Sequence, residues 1–307
     1  MLSESAMSAA PALRTAPAEP SQRDMSFAAS DGFPLAGTLF EGPGGGPLVL
    51  ISSATAVPRG LYASFARACV AAGARAALVY DYRGTGDSRR PAEWRRRIGM
   101  KDWALLDLPA AAAALDTVSP GRKMVGVGQS YGGQALGLCD ISGRFTRYGM
   151  VATMSGYFGG LDDRAAKWRM LGLGVPLSFI MRDTPRRFGV GEPIPSTVLR
   201  DWARWCSMPN YFFEDPKFPE TARFANVRTP ILALGMTDDV WGTPRAINSL
   251  MRHYSNAPVE LRFVSPDDAG GPIGHLGYFR SRFAQTLWPD FMGWLLEGRP
   301  ATVGRPA

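Results

Sequence analysis

The chain has 307 residues, 46% hydrophobic and 20% charged, the balance of a soluble globular protein, which excludes whole-chain disorder, collagen and coiled coil. It is long enough to bury a core without a disulfide or metal staple. Its net charge is 34 − 27 = +7, with four lysines among the cations; the densest run, Arg95-Arg96-Arg97 beside Trp94, reads as a solvated face, because no nucleic-acid-binding motif accompanies it.

Residues 1–24 carry an acid at Glu4, several prolines and no sustained apolar stretch, so a disordered tail is expected there, not a secretory signal. Apolar runs nowhere reach transmembrane length, so no stable membrane insertion and a cytoplasmic location are expected. From Met25 to Glu41 the pattern is a hairpin about Asp31-Gly32, a strong turn pair. Leu48–Ser52 and Ala76–Tyr80 are unbroken apolar strands, and between them Tyr62, Phe65, Ala66, Cys69 and Val70 recur at helical spacing. A second helix carries Trp103, Leu106, Ala110 and Ala114. A third strand, Met124 to Gly128, runs into a helix from Gln134, and Tyr148 to Met154 is a fourth. Alternation stops over 157–225, a stretch rich in Trp, Arg, Pro and Gly. It resumes with strand Ile231–Leu234, a helix through Ile247 and Leu250, strand Val259–Val264, and a last helix from Phe283 to Leu295. This alternation predicts a mostly parallel central sheet with helices on both faces, in one domain over 25–307, interrupted by an insert at 157–225. Ligands of such sheets bind beyond the carboxyl ends of the strands.

The candidate chemistry falls in those loops. Gly128-Gln129-Ser130-Tyr131-Gly132 follows a strand and opens a helix, the context of a nucleophile elbow, in which glycines clear a sharp turn and the serine projects at a helix N-terminus. A serine hydroxyl needs a base. Of the two histidines, His275 lies in a glycine-flanked loop after the last strand, whereas His253 sits near a helix C-terminus, where a cap or surface role is expected. The base needs an orienting carboxylate. Asp238 and Asp239 follow a strand, and Asp238 is the first choice, with Asp239 capping the next helix or closing the turn. Asp267 and Asp268 read as turn residues. Two amides should hold an oxyanion: that of Tyr131, after the serine, and that of Ala54 or its neighbour Thr55, after the first parallel strand. Asp81-Tyr82-Arg83-Gly84-Thr85-Gly86-Asp87-Ser88 reads as a hydrogen-bonded scaffold loop. Three cysteines without close pairing and two histidines point to no disulfide framework and no metal site.

The motifs DYRGTGDS (81–88), GQSYGG (128–133), ARWC (203–206), TDD (237–239) and IGHLGYFR (273–280) resemble the serine α/β-hydrolase superfamily from about Met25 onward, and more narrowly bacterial predicted α/β hydrolases related to serine aminopeptidase-like hydrolases. The resemblance implies an α/β-hydrolase fold with a helical cap at 157–225, and a triad of nucleophile Ser130, acid Asp238 and base His275. It implies a cofactor-independent enzyme that takes a small-molecule acyl substrate, with carboxylic ester hydrolysis as the first expectation. Thioester or amide cleavage uses the same parts; acyl transfer and a non-catalytic binding role are the alternatives. Ser52-Ser53 stands where many relatives carry His-Gly. Cap residues Trp168, Trp202, Trp205, Tyr211, Phe212 and Phe213 either line an acyl pocket or pack the cap on the core. Oligomeric state is not legible.

Overall fold

A computed structural model describes residues 19–184 and 191–307. The expected N-terminal tail lies largely outside these residues, but its last part is ordered. Strand β1 (Ser21–Ala28) starts four residues before the expected hairpin and pairs antiparallel with β2 (Pro34–Glu41) along its whole length. The polar side chains of Ser21 to Asp24 face solvent on an edge strand, so no apolar pattern announced them.

The strands β3 (Leu48–Ser52), β4 (Ala76–Tyr80), β5 (Met124–Gln129), β6 (Phe145–Val151), β7 (Ile231–Met236) and β8 (Val259–Val264) are parallel, and a two-residue β9 (Arg305–Pro306) closes the far edge. The sheet order is β1-β2-β4-β3-β5-β6-β7-β8-β9. The chain therefore passes from β3 to one side for β4 and returns to the other for β5. Side loops diverge at such a switch and leave a crevice above the strand ends.

Burial on both faces explains the unbroken apolar strands. In β3, Leu48 and Leu50 join the apolar layer on one face, and Val49 and Ile51 join the other. Helices α1 (Ala63–Ala71), α2 (Leu108–Asp116) and α3 (Tyr131–Leu138) cover the sheet between successive strands. Between β6 and β7 the insert is helical in its described part, with segments at Trp168–Gly174, Val175–Leu177 and Ser196–Cys206 (α4). After β7, α5 (Pro244–Met251) follows, with Thr243 capping it by accepting from the Ala246 amide. The last helix is broken where one was expected, into turns around α6 (Trp288–Met292). The 81–88 loop is a scaffold: buried Arg83 holds Asp107 and Asp31, and Asp81 pairs with Arg59.

Candidate active site

Ser130 sits between β5 and α3 with φ 51° and ψ −113°, a conformation that costs a non-glycine residue on the order of 1–3 kcal/mol. The surroundings impose it. A Cβ at Gly128 would fall on the Gly132 carbonyl, and one at Gly132 on the Ser52 carbonyl, so both glycines let the turn close against the end of β3. The Ser130 amide donates to the Val151 carbonyl at 2.9 Å, which ties the turn to β6.

His275 meets this serine from the connection after β8, where it sits in a short helical turn, Gly274–Gly277, and not in the expected open loop. Its Nε2 lies 3.2 Å from Ser130 Oγ, and its Nδ1 lies 2.7 Å from Asp239 Oδ2. The expected partner, Asp238, is not on the histidine. Its two carboxylate oxygens accept from the amides of Ile273 at 2.8 Å and Gly274 at 3.0 Å, the residues just before His275. The reason is the length of β7, which runs to Met236, two residues past the expected end. The turn then closes with the Asp239 amide on the Met236 carbonyl, which sends Asp239 inward and leaves Asp238 against the loop. Burial of Asp239 works to raise its pKa. The hydrogen bond from His275 and its charge, with the amides of Gly242 and Trp241, outweigh that and hold the carboxyl below its ordinary range. Asp239 is thus an anion poised to fix the imidazole tautomer and to stabilise its cation.

The Tyr131 amide, at the start of α3, has no hydrogen-bond partner among the described residues, and the Ser130 carbonyl beside it takes the amides of Gly133 and Gln134. Ala54 borders the cavity in front of Ser130, but its amide donates to Tyr62 Oη at 2.9 Å and is not free for an oxyanion. The neighbouring Thr55 amide is unpartnered among the described residues and stands at the same wall, so the alternative of the pair is the available donor.

Two side chains that brace the site carried no expectation. Gln129 accepts from Tyr62 Oη at 2.6 Å and donates to the His275 carbonyl at 2.8 Å, and so links the loops after β3 and β8. Trp241 lies with its ring 6.3 Å from that of His275 and donates from Nε1 to Asp163 of the insert at 3.0 Å. Gln129 stands inside the elbow and Trp241 two residues beyond the acid pair; their neighbours were visible, their contacts were not.

The cavity has a volume of about 220 Å³ and is walled by Ser130, His275, Met170, Leu199, Trp202 and Trp241 among others. Of the six insert aromatics singled out in the sequence, Trp202 alone lines it. Trp205, Tyr211, Phe212 and Phe213 pack with Phe218 and Phe224 in a separate cluster, and Trp168 is exposed. A larger cavity of about 730 Å³, bordered by Arg59, Asp81, Arg90 and Arg182, contains neither histidine. Among the described residues no group of three or more His, Cys, Asp or Glu side chains is placed to hold a metal ion.

A strand-order switch, an elbow serine and a histidine–carboxylate pair behind it define an α/β-hydrolase site. The chain belongs to the alpha/beta hydrolase family, whose sequence pattern matches residues 16–294. Solved structures share the fold at low identity. The hypothetical protein PA2218 of Pseudomonas aeruginosa is 15% identical with a TM-score of 0.61, over 90% of this chain and 93% of that one. The Pyrococcus furiosus esterase Pf2001 is 14% identical with a TM-score of 0.57, over 90% and 92%. The esterase domain of a Rhodothermus marinus protein is 17% identical with a TM-score of 0.54, over 89% and 97%. No curated protein matches the chain.

Proposed function

We propose that the protein is a serine hydrolase that cleaves a carboxylic ester through an acyl-enzyme on Ser130. The observation that carries this reading is the continuous relay from Ser130 Oγ through His275 to Asp239, at 3.2 and 2.7 Å. Nε2 of His275 takes the Ser130 proton as Oγ attacks the carbonyl carbon. The carbonyl π electrons move to oxygen, and the amides of Tyr131 and Thr55 receive the oxyanion. Each such donor is worth roughly 3 kcal/mol in the transition state. Collapse of the intermediate breaks the C–O bond to the leaving alcohol, which takes its proton from His275. Water, deprotonated by the same nitrogen, then attacks the acyl carbon, and His275 returns the proton to Ser130 Oγ as the acyl C–Oγ bond breaks and the acid leaves. Two of the similar structures are esterases by name, which agrees with this choice of leaving group.

The cavity in front of Ser130 is bordered by the apolar side chains of Met170, Leu199, Trp202 and Trp241, which suit an acyl group. The test is hydrolysis of p-nitrophenyl esters from acetate to palmitate, beside labelling by a fluorophosphonate. Turnover and labelling should both vanish in Ser130→Ala, with a loss of roughly 10⁶ in kcat. A Ser130→Ala protein that still turns over the esters at the wild-type rate would remove the proposal. Formation of acyl-acceptor product at the expense of free acid, on adding alcohols or amines, would redirect it to acyl transfer.

A further inference from the structure

The insert helix that roofs the cavity has two chemically distinct faces. Ala166, Met170, Gly174 and Ser178 recur every four residues and are buried, and the first three line the cavity. The four-residue repeat suits the wider winding of Trp168–Gly174, a π-helix. On the outside stand Trp168, Leu173, Phe179 and Ile180, exposed by 76%, 48%, 72% and 81%. One such side chain is ordinary, but four large ones within thirteen residues mark an interaction surface. Phe179 is held outward: the Arg200 guanidinium lies 4.8 Å from its ring centre and donates to the Ser178 carbonyl.

The charge on this segment has one sign. Residues 164–182 include Arg164, Lys167, Arg169 and Arg182 and no acid. Arg169 is paired with Asp163, whereas Arg164, Lys167 and Arg182 are exposed and make no ion pair among the described residues. Arg182 also stands near Arg90, with Asp183 as a partial counterweight.

We infer that this face docks the protein on an anionic lipid surface. Trp168, Leu173, Phe179 and Ile180 enter the headgroup region, and Arg164, Lys167 and Arg182 meet the lipid phosphates. A bilayer interface accepts aromatic and aliphatic side chains at headgroup depth, and its anionic lipids attract flanking cations. A second copy fits less well, because an isologous contact would set the same unpaired cations against themselves. No helix among the described residues is long and apolar enough to cross a membrane, so the contact is peripheral. The inner face of the same helix walls the catalytic cavity. If the serine-hydrolase reading holds, the cavity takes the reacting ester while the bilayer keeps part of the apolar portion of an amphipathic substrate. Docking itself does not rest on that reading.

The experiment is cosedimentation of the full chain with vesicles of phosphatidylcholine and phosphatidylglycerol at seven to three, against pure phosphatidylcholine, with turnover of soluble p-nitrophenyl butyrate measured in parallel. Wild type should partition onto the anionic vesicles at least tenfold more strongly, and 1 M salt should reduce this. Phe179→Ser/Ile180→Ser should lower the partition at least tenfold. Lys167→Glu/Arg182→Glu should lower it about twenty-five-fold or more, at about fivefold for each cation lost. Butyrate turnover and melting temperature should stay at wild-type values in both variants. Equal binding of wild type to the two vesicle types, or unchanged binding by the variants, overturns the inference. So does a dimer in sedimentation equilibrium that Phe179→Ser/Ile180→Ser dissociates while vesicles bind nothing. A wild type that binds vesicles but hydrolyses no ester sinks the esterase proposal and leaves this one standing.

Discussion

The two adjacent carboxylates make the sharpest prediction, because the geometry gives them different work. Asp239→Asn keeps the shape but removes the anion 2.7 Å from His275 Nδ1 and offers an N–H where the ring needs an acceptor. The imidazole then takes the wrong tautomer or turns away, a loss of about 10⁴ in kcat, or about 5.5 kcal/mol of transition-state stabilisation. Asp238→Asn acts through the loop. Two amides, at 2.8 and 3.0 Å, each require an acceptor, and an asparagine supplies only one oxygen. One amide is left facing an NH₂ group, at about 1–3 kcal/mol in local stability. The resulting displacement of His275 should cost about 10- to 100-fold in rate. Fluorophosphonate labelling of Ser130 reads both effects without knowledge of the natural substrate, and a thermal melt separates them. Asp238→Asn should melt lower than wild type and label moderately slower, while Asp239→Asn should label far more slowly. The reasoning fails if Asp238→Asn is the more damaging change, or if Asp239→Asn labels within tenfold of wild type.

The remaining predictions concern stability and its pH dependence. Arg83→Met leaves Asp107 fully buried without its cation and should cost about 3–5 kcal/mol, whereas Arg83→Met/Asp107→Leu should recover most of the melting temperature. His253 is stacked on Phe213, and burial, with Arg252 beside it, pushes its pKa down to about 4. The unfolded chain therefore binds this proton first, and stability drains as pH falls from about 6.5 through 4; denaturant melts of His253→Gln should show a shallower decline across that window. Asp239, with its folded pKa below the unfolded value, stabilises the fold above about pH 4 and loses that contribution as pH drops through the folded value. The same melts of Asp239→Asn should flatten the acid end of the curve. Gly132→Ala drives a methyl onto the Ser52 carbonyl and should abolish labelling of Ser130 even where the variant folds, as circular dichroism would show.

Much of this protein is written in local pattern. Apolar runs such as Leu48–Ser52 and Ala76–Tyr80 reproduce the observed strands residue for residue, because a strand buried on both faces admits little else. The elbow at 128–132 was legible because its glycines answer a local steric demand, and His275 because two histidines leave little choice. What local pattern could not decide was orientation. Asp238 and Asp239 are chemically identical neighbours, and a strand two residues longer than its apolar run determines which one faces the histidine. Ala54 and Thr55 differ as donors only because Tyr62, folded in from the short 3-10 turn just before α1, takes one amide and not the other. The insert aromatics are equally apolar in sequence, yet tertiary packing sends Trp202 to the cavity, Trp205 and Phe212 into the apolar core on one face of the sheet, and Trp168 to solvent. Composition and period set which residues must be buried and which turns must be tight; the partner each one meets depends on chain segments that come together only when the sheet closes.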